Sequence, residues 1–499
     1  MDMKKYLLIT SILFALLITA SCSDFLDVNT DPNNPTEVTP ELILPVAQNY
    51  TANYNLGNRR TNHLGNMMMY NWSETFGFSW YDDEFRYKVT STFYQALFND
   101  AYTNALKQYS ALDNLDDEYA NYKAISKIMK AYHFQILVDL YGDVPYSEAL
   151  NRGENATPKY DDAETIYKDL VVQLTDAIKM INDAANNSLS KTPGNDDVMF
   201  GGDMTKWKQF ANSLKIRIIN RAKASFDVAA ELATINAEGS GYITADVAVQ
   251  PGYLNEEGKQ NPYWRDLGWD VSGTVRLTND ATCATQYVLD YLANTSDPRL
   301  DFIYERPSTG HLGVEQGVEA TSDQTADKVS NIGPGILKGS DNHDNPDLET
   351  GSGMPAIIFT LAESNFNLAE LALSGYSVGA SAETYYNAGV QASFATLGAS
   401  GATSYLASGG VNVNYAASAG NELEAIITQK WIALNGIDAI QSWFDYSRTG
   451  FPANLPVSAQ ASTPDRPVRL LYPTSEITGN PLNIPKQKDA FNDKIFWAN

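Results

Sequence analysis

Residues Tyr70 to Asp83 interleave flat aromatic side chains with hydrogen-bonding ones: Tyr70-Asn71-Trp72-Ser73-Glu74-Thr75-Phe76-Gly77-Phe78-Ser79-Trp80-Tyr81-Asp82-Asp83. A second such run is Asn261-Pro262-Tyr263-Trp264-Arg265-Asp266-Leu267-Gly268-Trp269-Asp270. A sugar ring has an apolar C–H face and a polar rim, so a site for it needs aromatic faces beside amides or carboxylates. The candidate ligand-binding residues are therefore Trp72, Trp80, Tyr81, Asp82, Trp264, Arg265 and Trp269. If both runs line one face, they form a stacking platform with Asp82, Asp266 or Arg265 on its rim. The competing reading is packing of these aromatics under long loops. Trp207, Trp431 and Trp443 sit in helical or block-like surroundings and are assigned to the core.

Catalytic chemistry finds less support. Glycoside hydrolysis needs paired carboxylates. With 60 acidic residues in the chain, neighbours such as Asp82-Asp83 or Asp161-Asp162 arise by chance. Gly375-Tyr376-Ser377-Val378-Gly379 matches a nucleophile-elbow pattern, which requires a strand before the serine. The segment before it, Ala356 to Leu373, has a helical period, so Gly375 reads as a helix stop. His63, His133, His311 and His343 lie far apart, without zinc spacing. Asp341 to Asp347 is rich in oxygen donors but lacks the spacing of a calcium loop, and reads as a solvated acidic loop. No phosphate loop or dinucleotide fingerprint is present. The expectation is a non-enzyme with no metal and no cofactor.

The elements that must position these clusters are mainly helices. Tyr119–Leu140 places Tyr122, Ile125, Met129, Tyr132, Ile136 and Leu140 on one stripe. Similar stripes run through 163–181 and 204–226, and each must be buried on a neighbour. Tyr132 and Tyr167 are about 35 residues apart, close to the tetratricopeptide period of roughly 34. Residues 239–353 are rich in Gly, Asn, Asp, Ser and Pro and read as a loop-rich insertion with short strands. Helices return at 356–373, 382–397 and 422–435. Gly398–Gly420 reads as a flexible connector, and the proline-rich tail from Pro452 as extended chain over the surface.

The N-terminus gives an address. Lys4-Lys5 precede an apolar stretch, Tyr6 to Ile18, and then Thr19-Ala20-Ser21-Cys22. An apolar core of about 15 residues fits a signal peptide over 1–21, since a spanning helix needs roughly 20. Cys22 is then the lipidated first residue of the mature chain, although Thr19 stands where Leu is usual. Each buried acyl CH₂ contributes about 0.8 kcal/mol to membrane binding. Residues 22–45 read as an extended leader and 46–499 as one body. The net charge of −25 argues against nucleic acid and against adsorption to anionic lipid, leaving tethering to the anchor. The second cysteine, Cys283, has no partner and reads as a small buried hydrophobe.

Several blocks together resemble the SusD/RagB family of outer-membrane nutrient-binding lipoproteins, in its SusD-like branch. They are Cys22 to Asn33, Leu137-Val138-Asp139-Leu140-Tyr141-Gly142-Asp143-Val144-Pro145-Tyr146, Met199 to Asp203, Trp207 to Lys215, Asp297-Pro298-Arg299-Leu300, Gln429 to Leu434 and Trp443 to Gly450. Ser447 departs from the family, which often has Arg there. The resemblance implies a mainly α, tetratricopeptide-like scaffold decorated by loops. It implies a surface-exposed lid on a TonB-dependent, SusC-like outer-membrane transporter, binding oligosaccharide. Two alternatives stay open: a peptide-binding lid of the same kind of transporter, and a secreted glycan hydrolase.

Overall fold

A computed structural model describes residues 39–498 apart from Arg152, Gly153, Asn342 and Asp344. The signal, Cys22 and the start of the leader lie outside the described residues. The first helix, α1 (Pro40–Leu56), begins inside the stretch 22–45 expected to be extended. Pro40 occupies the first turn, where its missing N–H has no helical partner, and Pro45 removes a single intrahelical donor. Prolines that read as extended chain are thus tolerated near a helix start. Next come α2 (Thr61–Met68) and the strand β1 (Trp72–Glu74).

The scaffold proper is α3 (Ala120–Tyr141), α4 (Ala163–Ala185) and α5 (Met204–Arg221). Asp162 caps α4 by accepting from the Thr165 N–H, and Asp203 caps α5 by accepting from Thr205 and Lys206. Strand β2 (Val247–Val249) opens the insertion, followed by the short helix α6 (Pro262–Leu267) and β3 (Thr282–Ala284). Strand β4 (Ala356–Phe359) precedes α7 (Leu361–Leu373), α8 (Ala382–Leu397), α9 (Glu422–Leu434) and α10 (Ala439–Thr449). Helices α3, α4 and α5 pack in series, and α5 passes the array on to α7, which touches α8 and α9. Helix α10 returns to α2, where their backbones meet. A Cβ on Gly65 would lie 2.1 Å from the Ile440 nitrogen, so only glycine allows this approach.

The chain is mainly α-helical, as expected, and four local readings change. The helix expected from Ala356 starts at Leu361. The β-rich Ala356-Ile357-Ile358-Phe359 pairs antiparallel with β2, and Thr360 caps α7 by accepting from the Glu363 N–H. The connector Gly398–Gly420 holds a short helix, Ala402–Leu406, and a 3₁₀ turn at Ala416–Ser418. The insertion carries the expected short strands, and also a regular helix at Gln286–Asn294 capped by Thr285. The tail does more than lie on the surface: Trp497 is buried and donates its Nε1–H to Asp139 at 2.9 Å.

Several charged residues of the helical scaffold are core fasteners. Arg448 on α10 donates to Glu370 on α7 at 2.5 and 2.8 Å. Lys430 on α9 pairs with Asp445 on α10 at 2.7 Å. Arg221 on α5 pairs with Asp139 on α3, and Arg299 forks onto Asp297 at 2.9 and 2.6 Å. All eight groups are buried or nearly so. Burial alone would raise the Glu370 pKa, but Arg448 and then Lys223 hold it well below the usual carboxylate range. Trp207, Trp431 and Trp443 are buried, as expected.

Candidate ligand-binding face

Strand β1 pairs antiparallel with β3, with Trp72 opposite Ala284 and Glu74 opposite Thr282. Past the strand, the Phe76 N–H donates to the Gln324 carbonyl at 2.9 Å. Gly77 then adopts φ +94° in open space, and the chain turns outward. The loop presents Phe76 (44% exposed) and Trp80 (41% exposed), with Phe78 half-buried between them. Phe78 and Trp80 meet edge to face at 5.0 Å between ring centres. Aromatics of this size usually find a burial site, so two exposed and one half-buried on one short loop mark a contact surface.

The Trp80 backbone is held from both sides. Its N–H donates to Oε1 of buried Glu74 at 2.5 Å. Its carbonyl accepts from Nη2 of Arg59 at 2.5 Å. Arg59 in turn donates from Nη1 to Glu84 at 3.0 Å, and Tyr94 donates its hydroxyl to the same Glu84 oxygen at 3.0 Å. Burial pushes the Glu74 pKa up to about 7, against the lowering effect of the Trp80 and Tyr81 N–H groups. The ring is therefore carried on a backbone fixed by charge-assisted bonds.

The expected platform is dismantled by burial. Trp72, Tyr81, Trp264 and Trp269 are each 2% exposed or less, so none of them presents a face to a ligand. Trp72 lies in β1 with the edge of His63 packed against it at 5.5 Å. The Tyr81 hydroxyl shares a hydrogen bond with Thr282 at 2.7 Å. Trp264 lies in a slot between two glycines: a Cβ on Gly351 would sit 2.3 Å from its ring, and one on Gly268 2.9 Å. Trp269 covers it at 4.9 Å. Residue type announced the stacking chemistry of these rings, and for Trp264 the nearby Gly268 and the distant Gly351 leave the room for its burial.

Trp80, Asp82 and Arg265 do reach the surface. The Asp82 side chain is 53% exposed and lies 3.6 Å from Arg86. Arg265 forks onto Asp266 at 2.7 and 2.9 Å and donates to Asn53 on α1 at 3.1 Å. The two runs are linked through adjacent residues of the turn between α1 and α2. The Asn58 N–H donates to Asp266 at 2.9 Å, while the next residue, Arg59, holds Trp80. Phe76, Phe78, Arg59 and Glu74 were not singled out in sequence. A hydrophobe on either side of Gly77, outside any period, was the available signal for the two phenylalanines.

The chemistry sites weighed in sequence fall into structural roles. His63 and His133 are buried, and burial depresses both to about 3, so they are neutral packing groups. Cys283 is buried between Val314 and Val329, and burial pushes its thiol up, away from nucleophilic use. Gly375 has φ +89° directly after α7, as a helix stop rather than an elbow. Among the described residues, no group of three His, Cys, Asp or Glu is arranged to hold a metal ion. Asn342 and Asp344 of the acidic loop lie outside the described residues.

A sequence model of the SusD-like family described as "Starch-binding associating with outer membrane" matches residues 32–473. No curated protein matches the chain significantly. Among solved structures, a chitin-binding SusD homologue from Flavobacterium johnsoniae superposes with a TM-score of 0.72 at 20% identity, covering 91% of this chain and 98% of its own. A SusD homologue from Bacteroides uniformis gives 0.72 at 21% identity, covering 92% and 99%. One from Bacteroides vulgatus gives 0.71 at 21%, covering 92% and 97%. At these identities the likeness is one of fold.

Proposed function

This chain belongs to the SusD-like family of starch-binding proteins that associate with the outer membrane, and we propose that it captures oligosaccharide on the Phe76–Trp80 face. The observation that carries this is the exposed aromatic loop on a fixed backbone, with Arg59 and Asp82 beside Trp80 and Arg265 linked to it through Asp266, Asn58 and Arg59. Pyranose C–H faces would lie on Trp80 and Phe76, and hydroxyls would meet the charged and amide side chains. Because Trp80 is already held in place, little ordering entropy is lost on binding. The step is binding without bond making. Acidic pairs that could serve hydrolysis are engaged elsewhere: Asp82 with Arg86, Asp83 with Lys88, and Asp161 with the N–H groups of Tyr146 and Ser147.

In the same reading, lipidated Cys22 tethers the body to the outer membrane with its binding face toward the cell exterior, and the body caps a SusC-like, TonB-dependent transporter. The acidic chain, of net charge −25, would gain nothing from anionic lipid, so attachment falls to the acyl chains. Isothermal titration of the soluble body against maltooligosaccharides and chitooligosaccharides tests the proposal. Saturable binding that Trp80→Ala weakens supports it. Binding indifferent to Trp80 would place the ligand elsewhere, and repeated cleavage of the oligosaccharide would make the protein an enzyme.

A further inference from the structure

Away from the aromatic loop, a groove of 560 Å³ opens on the helical scaffold between α3, α4 and the loop that follows Tyr146. Its volume lies within the range of small-molecule sites, about 300–1,000 Å³. Lys127, Lys130 and Phe134 reach it from α3 at helical spacing, and Asp169 and Gln173 from α4 one turn apart. Elsewhere this helix pair buries aliphatic stripes such as Ile125, Met129 and Ile136 against Ile166, Leu170 and Leu174. Here the facing positions are polar and half-exposed. A helix pair that opens onto polar side chains gives up packing it could have made, which calls for a use.

The polar groups form two ordered relays. Tyr146 donates its hydroxyl to Asp169 at 2.5 Å, Gln173 donates to the same oxygen at 3.2 Å, and Lys127 donates to the Gln173 side-chain oxygen. Beside them, Lys130 donates to Asp113 at 2.5 Å, and Ser126 donates to the other Asp113 oxygen at 2.7 Å. The Tyr146 ring stands edge-on to Phe134 at 4.7 Å and forms an aromatic wall. Among the described residues the groove carries Asp113, Asp169 and Glu154 against Lys127 and Lys130, so charges of both signs are interspersed and no wall is of one sign. Donors and acceptors alternate around an apolar wall, which suits a neutral ligand rich in hydroxyls.

We propose that this groove is a second saccharide-binding site, separate from the Phe76–Trp80 loop, that takes a short neutral oligosaccharide. The ligand class rests on the reading of the protein as a glycan binder as well as on the groove's own chemistry. Two sites on one body would let one chain be held at two points, raising avidity without new contacts at either site.

Titration calorimetry of the full soluble body with maltoheptaose and with chitohexaose tests this, using wild type, Trp80→Ala and Lys127→Ala/Gln173→Ala. The expected result is two binding events in wild type. The groove variant should lose one, with the affinity of the other unchanged, and Trp80→Ala should lose or weaken only that other one. Should the groove variant melt markedly lower, Gln173→Lys alone, which adds a third cation to the groove, gives the same reading. A single event abolished by Trp80→Ala overturns the second site and leaves the loop reading intact. A single event abolished only by the groove variant overturns the loop reading and keeps the groove. Two events untouched by the groove variant, or no binding of either probe, overturn the groove.

Discussion

The Trp80 N–H donates to Oε1 of Glu74 at 2.5 Å, so the most exposed indole of the candidate face hangs from a buried carboxylate. Burial places the Glu74 pKa at about 7, with Asp82 and Glu84 adding smaller upward contributions. Ionised Glu74 makes a charge-assisted bond, and protonation leaves a neutral one weaker by about 1 kcal/mol. Glycan affinity should therefore fall about fivefold between pH 8 and pH 6. The sign for stability is opposite. The folded pKa lies above the ordinary 4.5, so ionised Glu74 costs stability above pH 7, and that cost disappears as pH falls from 7 toward 4.5. Calorimetry and thermal melts of wild type against Glu74→Gln check both: the variant should lose this part of each pH dependence.

Surface and buried tryptophans should behave differently on truncation. Trp80→Ala with Phe76→Ala should weaken glycan binding about tenfold or more while leaving the melting temperature nearly unchanged. Trp264→Ala should cost about 3–5 kcal/mol of stability by emptying its glycine-walled slot. Paired denaturant titrations and binding curves separate the two. Equal destabilisation by both would undo the assignment of Trp80 to the surface role.

Glu370 accepts from Arg448, Lys223 and Asn220, all within 2.9 Å. Removing it leaves the Arg448 guanidinium, only 8% exposed, with Asp445 as its one remaining carboxylate partner, at 3.1 Å. Glu370→Ala should cost about 3–5 kcal/mol in urea unfolding, more than any exposed ion pair such as Lys179–Asp183. A loss below about 1 kcal/mol would mean that the pair is screened or easily replaced.

Cys22→Ala, expressed without a SusC-like transporter, should leave a body that no longer sediments with membranes, because the acyl chains are gone. Fractionation of cells expressing each form measures this. Membrane attachment of the processed variant would refute the tether.

The local structure was readable where short-range rules act alone. Helix α8 matches its expected bounds because Ser381 caps one end and Gly398, in the left-handed region, closes the other. Helix α1 was hidden because Pro40 and Pro45 resemble breakers yet stand where their cost is small. The candidate face was half legible. Aromatics among polar residues named the chemistry, and Trp80, Asp82 and Arg265 are indeed at the surface. Trp264 could not be placed, since its slot depends on Gly351, far along the chain. Glu74 and Arg59 escaped notice because their role is to grip a backbone, which no side-chain pattern records.

Helix α6 carries more than the glycine-gripped Trp264. Asn261, at its cap, donates its backbone N–H to the Ser352 carbonyl and its side-chain amide to the Met354 carbonyl. Tyr263 donates to the Gly436 carbonyl between α9 and α10, and Arg265 reaches Asn53 on α1. The insertion is thus riveted to two parts of the bundle, α1 and the turn between α9 and α10, through one short helix. It has no compliant joint here on which to swing like a jaw. A tug on a captured chain would pass through this short helix into the whole body.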